Sequence, residues 1–307
     1  MRKSHVLRFA HRVSRKILNI QIQAFNRAFD SSTRFSTQSL GADLLLPVCV
    51  GTGFGNISWR KSWKTQVIRR LARPDQGTFV DVGANVGQTL LDVYATNPSS
   101  RYLGFEPNIA NAFYLGEMIR ANSLSNFNIV PVGLADENRC LSLYLGKGTT
   151  EDLSATVRIE LRPTRESEAV LIPCFKFDDI RHSGGVKEIS FIKIDVEGAE
   201  LETLIGMKKC LQECRPIVLC EVLFAGWKAD LVQHEDRNNR LIQHLRDLSY
   251  RVFQLIKSSN REEVVDARSI DKFDTVFWSP ENENLCDYVL IPAEKETHTL
   301  KALLSSS

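Results

Sequence analysis

Four charged side chains between residues 193 and 221 follow the ends of two predicted strands and could do chemistry together. Lys193, Asp195 and Glu197 alternate along one strand, so they share one side of it, and Glu221 ends the next strand. One carboxylate could act as a general base whose pKa is raised by like-charged neighbours. The oxygen atoms could instead hold Mg²⁺, or Glu197 could cap the next helix while Lys193 pairs with Asp195. The base interpretation is preferred, and no metal is predicted.

A glycine-containing loop, with the pattern DxGxNxG, joins an earlier strand to a helix at residues 81–87. Gly83 allows a tight turn, and Gly87 allows close approach of backbone or ligand. A dinucleotide usually takes the pattern GxGxxG, and Asp81 would repel its pyrophosphate. S-adenosylmethionine carries no phosphate; Asp81 suits its amino group, directly or through water, and the turn amides suit its carboxylate. The loop therefore favours S-adenosylmethionine.

Two further carboxylates are candidates for binding the adenosine part of such a cofactor. Glu106 ends the second strand 19 residues beyond Gly87, close to the spacing expected for a carboxylate that binds ribose hydroxyls. That feature would serve a nicotinamide cofactor equally well. Asp136, just after the third strand, is predicted to face the adenine amino group.

Short apolar runs alternate with helical stretches from Gly77 onwards. Runs of this kind predict an α/β fold with a doubly wound, mostly parallel sheet, helices on both faces and an antiparallel C-terminal strand. Ligands bind such sheets beyond the carboxyl ends of the strands, which is where the charged residues and the glycine loop lie.

Four segments in this order, FVDVGANVGQT, GFEPN, FIKIDVEGAELETLIGM and PIVLCEV, resemble the FkbM family of S-adenosylmethionine-dependent methyltransferases over roughly residues 60–293. The resemblance implies a Rossmann-like methyltransferase domain, S-adenosylmethionine as methyl donor and methylation of a hydroxyl, in a family often linked to glycan or natural-product pathways. It implies cofactor-binding residues at Asp81, Gly83, Asn85, Gly87 and Glu106. Its fourth-strand motif falls on Lys193, Asp195, Glu197 and Gly198.

The expected acceptor is a small molecule or glycan with a hydroxyl. The sequence after the fourth strand reads DVEG. N-methyltransferases usually carry an Asn/Asp-Pro-Pro-aromatic turn at this place, so its absence here favours an oxygen acceptor. A nicotinamide-dependent oxidoreductase and a non-catalytic binding domain of the same fold are the alternatives. Residues 146–168 form either a solvated loop or a lid over the acceptor, in which Arg158, Arg162 and Arg165 could meet an anionic group.

Charge is unevenly distributed along the 307 residues, although the formal net charge is only +2. Residues 1–40 carry eight basic and one acidic side chain, and the remainder carries 31 basic and 36 acidic ones. The mildly acidic remainder argues against nucleic acid as a partner. Apolar residues in steps of three and four over 4–28 predict a basic amphipathic helix. That helix could dock on the domain, make a peripheral membrane contact or serve as a mitochondrial transit peptide.

We therefore divide the chain into four parts: a basic extension and linker over 1–40, a lead-in segment over 41–75, a methyltransferase domain over 76–293 and a tail over 294–307. A cytoplasmic protein is expected, associated with a membrane if residues 4–28 bind lipid, and mitochondrial in a eukaryote. No oligomeric state is predicted.

Overall fold

The computed structural model describes the backbone of residues 33–37, and describes residues 44–48, 52–53, 56, 59–73, 75–147, 152, 154–161, 166–226 and 231–305. The amphipathic helix predicted over 4–28 lies outside these residues. Within them, no helix is long and apolar enough to cross a membrane.

Eight strands form the central sheet, in the order β12-β11-β13-β10-β9-β3-β4-β5. The strands are β1 (Thr33–Thr37), β2 (Leu44–Val48), β3 (Thr78–Val82), β4 (Tyr102–Phe105), β5 (Phe127–Val130), β6 (Gly133–Leu134), β7 (Arg139–Gly146), β8 (Ser167–Phe175), β9 (Ile189–Ile194), β10 (Ile217–Glu221), β11 (Tyr250–Lys257), β12 (Val264–Ile270) and β13 (Asp287–Pro292). The run from β10 to β5 is parallel, and β13 pairs antiparallel with both β10 and β11. The predicted sheet and its antiparallel C-terminal strand are confirmed.

Helices cover both faces of this sheet, as predicted. They are α1 (Trp63–Leu71), α2 (Gln88–Thr96), α3 (Ile109–Ala121), α4 (Phe177–Ser183), α5 (Glu200–Gly206), α6 (Lys208–Glu213), α7 (Leu231–Asp247) and α8 (Glu296–Leu304). Alternate residues of β3 face opposite sides: Phe79 belongs to the core cluster that includes side chains of α1, α2, α3 and α8, and Val80 belongs to the cluster that includes side chains of α4 to α7. Strands buried on both faces explain the continuous apolar runs of the sequence.

The predicted boundaries at residues 75 and 293 fall inside one packed unit. Ile68 of α1 and Leu303 of α8 are fully buried in the same core cluster, and Arg70 Nη1 donates to the carbonyl of Leu303 at 2.6 Å. Part of the predicted linker is also regular structure, because residues 33–37 form β1, which pairs antiparallel with β2. The apolar stripe of α1 needs a core to bury it, and the sheet of the domain provides that core.

A second sheet has the order β6-β8-β7, and the apolar run over 126–135 forms two separate strands, β5 in the central sheet and β6 in this second sheet. That run divides at Pro131, which has no amide hydrogen for a strand ladder. Val132 N donates to the carbonyl of Val130 at 2.9 Å, which forms a tight turn, and β6 then pairs with β8. β8 was not predicted from the sequence.

Candidate active site

A cleft of about 630 Å³ opens at the carboxyl ends of β3, β4, β9 and β10. One side, which we call the sheet wall, consists of the lining residues within 82–85, 105–107, 193–197 and Glu221. The other side, the cover wall, consists of the lining residues within 59–64, 132–143, 155–158 and 172–174. The cleft therefore lies at the edge of the sheet where ligands were expected.

The glycines of the 81–87 loop are required by the fold. Gly83 has φ +78°, and a Cβ there would lie 1.9 Å from the carbonyl oxygen of Asp195. Gly87 has φ +86°, and a Cβ there would lie 2.6 Å from side-chain atoms of Leu115 and Met118. The close approach predicted at Gly87 is thus to side chains of α3, and Gly87 is not among the residues that line the cleft.

The amides of this loop are used within the protein. Gly83 N and Ala84 N both donate to the carbonyl of Phe105 at 3.0 Å, and Gly87 N donates to the carbonyl of Ala84 at 2.9 Å. Asn85 N donates to Glu106 Oε2 at 2.7 Å. These four amides hold the turn itself, so the expectation that the turn amides bind the cofactor's carboxylate is not supported for them.

Glu106 is 5 % exposed and lines the cleft between the loop and α3. Its Oε1 accepts from Asn108 N at 2.8 Å, and its other oxygen accepts from Asn85. Burial raises the pKa of this carboxyl to about 7, although the two amides oppose the shift. A carboxylate has more acceptor positions than these two bonds use, so Glu106 can also accept from hydroxyl groups in the cleft.

Asn111, which the sequence analysis missed, lies beside Glu106. Its Nδ2 donates to Asn85 Oδ1 at 3.1 Å, and the side chain lines the cleft although it is 1 % exposed. Its buried Oδ1 has no hydrogen-bond partner among the described residues. Polar atoms in such positions are usually paired, so this oxygen is an acceptor available to a bound molecule. Nothing in the sequence around Asn111 distinguishes it from an asparagine on the exposed surface of a helix.

Asp81 lies behind the cleft and does not line it. Its fully buried carboxylate accepts from Tyr102 Oη at 2.5 Å and lies 3.3 Å from Lys193 Nζ. Lys193 Nζ also donates to the carbonyl of Gly83 at 2.9 Å. Burial alone would lower the pKa of Lys193, but Asp81 and Asp195 outweigh it and raise that pKa. Asp81 therefore orients a charged lysine, and the direct contact predicted for it with the amino group of a cofactor is not what this geometry favours.

The pKa values of Asp195 and Glu221 are shifted in opposite directions. Asp195 Oδ2 lies 3.5 Å from Lys193 Nζ and 3.7 Å from Lys64 Nζ. Burial alone would raise the pKa of Asp195, but these ammonium groups lower it to about 2. Burial, followed by the charges of Asp195 and Asp287, raises the pKa of Glu221 well above its ordinary value. The raised pKa expected for the cluster is found on Glu221, and Asp195 is the ionised member.

Glu197 does not cap the next helix, and Asp136 does not line the cleft where adenine was expected. Glu197 lines the cleft with φ +55°, but the carboxylate at the start of α5 is that of Glu200, whose Oε1 accepts from Gly198 N at 2.8 Å. Asp136 accepts from Arg139 Nη2 at 3.1 Å and is not among the lining residues. The adenine contact predicted for Asp136 is therefore not supported, because its carboxylate turns to a neighbouring guanidinium.

The cover wall is largely apolar and is joined to the sheet wall at a few points. Its apolar members from the second sheet are Leu134, Leu141, Leu143, Ile172 and Cys174. Thr156 Oγ1 donates to the carbonyl of Glu197 at 2.6 Å. Arg158 forms ion pairs with Glu160 at 2.5 Å and with Glu202 at 3.4 Å, so carboxylates of the protein already neutralise its charge. Arg162 and Arg165 lie outside the described residues.

Several charged cleft residues were not predicted from the sequence, and two of them, Lys64 and Asp92, belong to α1 and α2. Lys64 belongs to α1, in the segment assigned as a lead-in, and reaches Asp195. Asp92 of α2 accepts from Thr65 Oγ1 at 2.5 Å, and burial raises the pKa of its carboxyl to about 7. Within the described part of the chain, no three His, Cys, Asp or Glu side chains are grouped to hold a metal ion. The geometry therefore gives no support to the magnesium interpretation.

A family model described as the methyltransferase FkbM domain matches residues 81–252. This match covers more than half of the sequence, and the chain belongs to that family. The resemblance found in the sequence is thereby confirmed, and the motifs that carried it are those that form the sheet wall.

Individual relatives are more distant. The 2-O-methyltransferase NoeI of Sinorhizobium fredii is 24% identical over 160 residues, which cover 49% of this chain and 65% of that protein. Methyltransferase 1 of Beauveria bassiana is 25% identical over 148 residues, which cover 44% of this chain and 59% of that protein. The matches thus span less than two thirds of these relatives. The crystal structure of methyltransferase FkbM from Methylobacillus flagellatus is 18% identical with TM-score 0.41, over 71% of this chain and 44% of that chain.

Proposed function

We propose that the protein is an S-adenosylmethionine-dependent O-methyltransferase that acts on a hydroxyl of a glycan or natural-product-like acceptor. The observation that carries the proposal is an ionised carboxylate, Asp195, held by two lysines in the cleft beside the glycine loop. Membership of the methyltransferase family supports the reaction class. The same membership weighs against a nicotinamide-dependent oxidoreductase.

The cleft residues fit S-adenosylmethionine. The volume of about 630 Å³ is in the range of small-molecule sites. Glu106 and the unpaired Oδ1 of Asn111 offer acceptors to the ribose hydroxyls. Val132, Leu134 and Ile172 offer apolar contacts to the purine. The bound cofactor would supply a methyl carbon that a positively charged sulfur activates.

Asp195 is assigned to the acceptor hydroxyl. A carboxylate with a pKa of about 2 is a weak base, so it first accepts a hydrogen bond from the hydroxyl and aligns it. It takes the proton only as the hydroxyl oxygen becomes acidic during bond formation to the methyl carbon. Lys193 and Lys64 keep Asp195 ionised, and burial together with the negative charge of Asp195 raises the pKa of Glu221, which favours the neutral form of Glu221.

Calorimetry with S-adenosylmethionine and with NAD tests the cofactor assignment. We expect binding of the first only. Glu106→Ala should weaken that binding by about 10- to 100-fold if the carboxylate forms a charge-assisted hydrogen bond. The matched control is Glu188→Ala, because Glu188 is 70% exposed and lies outside the cleft. Unchanged affinity in a folded Glu106→Ala protein would refute the ribose assignment, and no binding by the wild type would refute the proposed function.

A further inference from the structure

A segment formed by Asn56 and residues 59–64 reaches from the glycine loop to Asp195. At one end, Asn56 Nδ2 donates to the carbonyl of Val86 at 2.5 Å. At the other end, Lys64 Nζ lies 3.7 Å from Asp195 Oδ2. These residues precede the part of the chain that matches the family domain, which starts at residue 81. The segment thus adds to the cleft a set of side chains that lie outside the matched part of the chain.

Trp59 presents an aromatic surface within this segment. The side chain is half-buried against the main core cluster, and it also lines the cleft. One face of a sugar ring carries C–H groups that pack on the electron-rich face of an aromatic ring. A partly exposed tryptophan at a cleft that holds a carboxylate for a hydroxyl is suited to such a ring.

Arg60 differs from the other cationic residues that line the cleft. The other four each pair with a carboxylate: Lys64 with Asp195, Arg139 with Asp136, Arg158 with Glu202 and Lys193 with Asp81. Arg60 is exposed, and its Nη1 donates to the carbonyl of Trp59 at 2.7 Å. It forms no ion pair with a described carboxylate. A guanidinium of this kind binds a carboxylate or a phosphate well, because its donors match two oxygens at once.

We propose that Trp59 and Arg60 form the acceptor subsite, and that this subsite takes an anionic sugar. Trp59 stacks on the sugar ring, and Arg60 binds a carboxylate or phosphate carried by that ring. The inference rests on the proposed function, since it assigns the acceptor of that same cleft. It makes the segment before the family domain the part of the chain that selects the substrate.

Four probes test the subsite on the full chain loaded with S-adenosylhomocysteine: glucuronate, glucose 1-phosphate, neutral glucose and benzoate. Affinities are measured by ligand-observed NMR titration. We expect glucuronate or glucose 1-phosphate to bind at least about 10-fold tighter than glucose, and the stronger of the two identifies the anion. Arg60→Ala should abolish this advantage. Trp59→Ala should weaken all three sugars, and Trp59→Phe should restore part of the loss.

Two variants are matched controls. Lys61→Ala removes the neighbouring exposed cation, which does not line the cleft, and Trp278→Ala removes a tryptophan that is 52% exposed elsewhere. Both should leave sugar binding unchanged. Equal binding of glucose and the sugar anions, benzoate binding as tight as glucuronate, or sugar affinity that survives both Trp59→Ala and Arg60→Ala would overturn the proposal.

Calorimetry with S-adenosylmethionine separates this proposal from the proposed function. Trp59→Ala and Arg60→Ala should keep the wild-type affinity for the cofactor. A loss of cofactor affinity in both variants would place the segment at the cofactor instead of the acceptor. A wild type that binds the cofactor and no sugar overturns only the subsite, whereas one that fails to bind the cofactor overturns the proposed function.

Discussion

The two walls of the cleft differ in how firmly their polar atoms are held. On the sheet wall, Lys193 lies between Asp81 and Asp195, and Glu106 accepts two backbone amides. On the cover wall, the residues of the second sheet are mainly apolar, and Arg60 is bonded only to a carbonyl of its own segment among the described contacts. Reaction chemistry is thus placed mainly on rigid strand ends, and recognition is placed mainly on added segments, with Lys64 as the cover-wall residue that also contacts Asp195.

The walls meet through a small number of bonds, chiefly Lys64 to Asp195 and Thr156 to the backbone of Glu197. Changes on the sheet wall should therefore lower turnover, cofactor affinity or stability. Changes on the cover wall should act mainly on the acceptor.

Asp195→Asn tests the sheet wall most severely. We expect turnover to fall by about 10²- to 10⁴-fold, because the amide cannot accept the hydroxyl proton. Glu221→Gln should cost much less, since the raised pKa of Glu221 favours its neutral form and the amide is also neutral. Methyl transfer is followed as S-adenosylhomocysteine release, with cofactor affinity measured in parallel. Equal losses in the two variants, or full turnover in Asp195→Asn, would contradict the assignment of different protonation states.

Gly83→Ala tests the contact between the loop and the end of β9. The added Cβ would meet the carbonyl of Asp195 at a φ of +78°, so we expect a loss of at least about 1–3 kcal/mol in the free energy of unfolding. Gly116→Ala is the matched control, because a Cβ at that helix position has no atom within 4 Å. It should be neutral or stabilising by about 0.4–1 kcal/mol. Denaturant unfolding measures both, and similar values for the two would show that the loop relaxes at little cost.

The sheet wall could be predicted from the sequence because short-range patterns specify it. A strand that ends in an acid and two glycines fixes a turn, and alternation along β9 puts Lys193 and Asp195 on one side. The doubly wound sheet followed from the same apolar runs. The direction of each side chain beyond the strand end did not follow: Asp81 points to Lys193 and Asp136 to Arg139.

The cover wall could not be predicted because its contacts join parts of the chain that are far apart in sequence. Lys64 and Asp195 are a pair only once α1 packs against the sheet. β8 contains a short apolar run over 169–172, but Val170 and Leu171 in it are exposed, so burial in a core does not explain this run as it does for the central strands. The pKa difference between Asp195 and Glu221 also depends on burial and on Lys64 and Lys193, and no local sequence pattern reports either effect.

Buried carboxyls on the sheet side should make the unliganded protein less stable as pH rises. The pKa values of Glu106 and Asp92 are about 7 in the folded chain, above their ordinary values of 4.5 and 3.8. Below their ordinary pKa values, both carboxyls are protonated in the folded and in the unfolded chain. Above pH 7 both are ionised, and the folded chain carries the full cost of the buried charges. The free energy of unfolding therefore falls between about pH 4 and 7. Asp195, with a pKa of about 2, adds nothing in this window.

Thermal unfolding between pH 5 and 8 measures this slope. Glu106→Gln and Asp92→Asn should each reduce the fall in melting temperature between pH 5 and 8 by a few degrees, at about 2–4 °C per kcal/mol. Glu188→Gln should leave this fall unchanged. A melting temperature that rises with pH across this window would contradict the raised pKa values.

Thr156→Val should have the smallest effect, and it tests the joint between the two walls. Glu197 has φ +55°, a conformation that costs a non-glycine residue energy, and the Thr156 hydroxyl holds its carbonyl. Valine keeps the shape but removes this bond and the one that Thr156 Oγ1 accepts from Arg158 N at 2.9 Å. We therefore expect a loss of at least about 0.5–1.5 kcal/mol and a severalfold rise in the acceptor's KM. The control is Thr275→Val, a half-buried threonine in the loop before β13. If kcat falls while KM stays constant, the bond positions Asp195 and Glu197 for the reaction, and the separation of the two walls into chemistry and recognition would be wrong at this point.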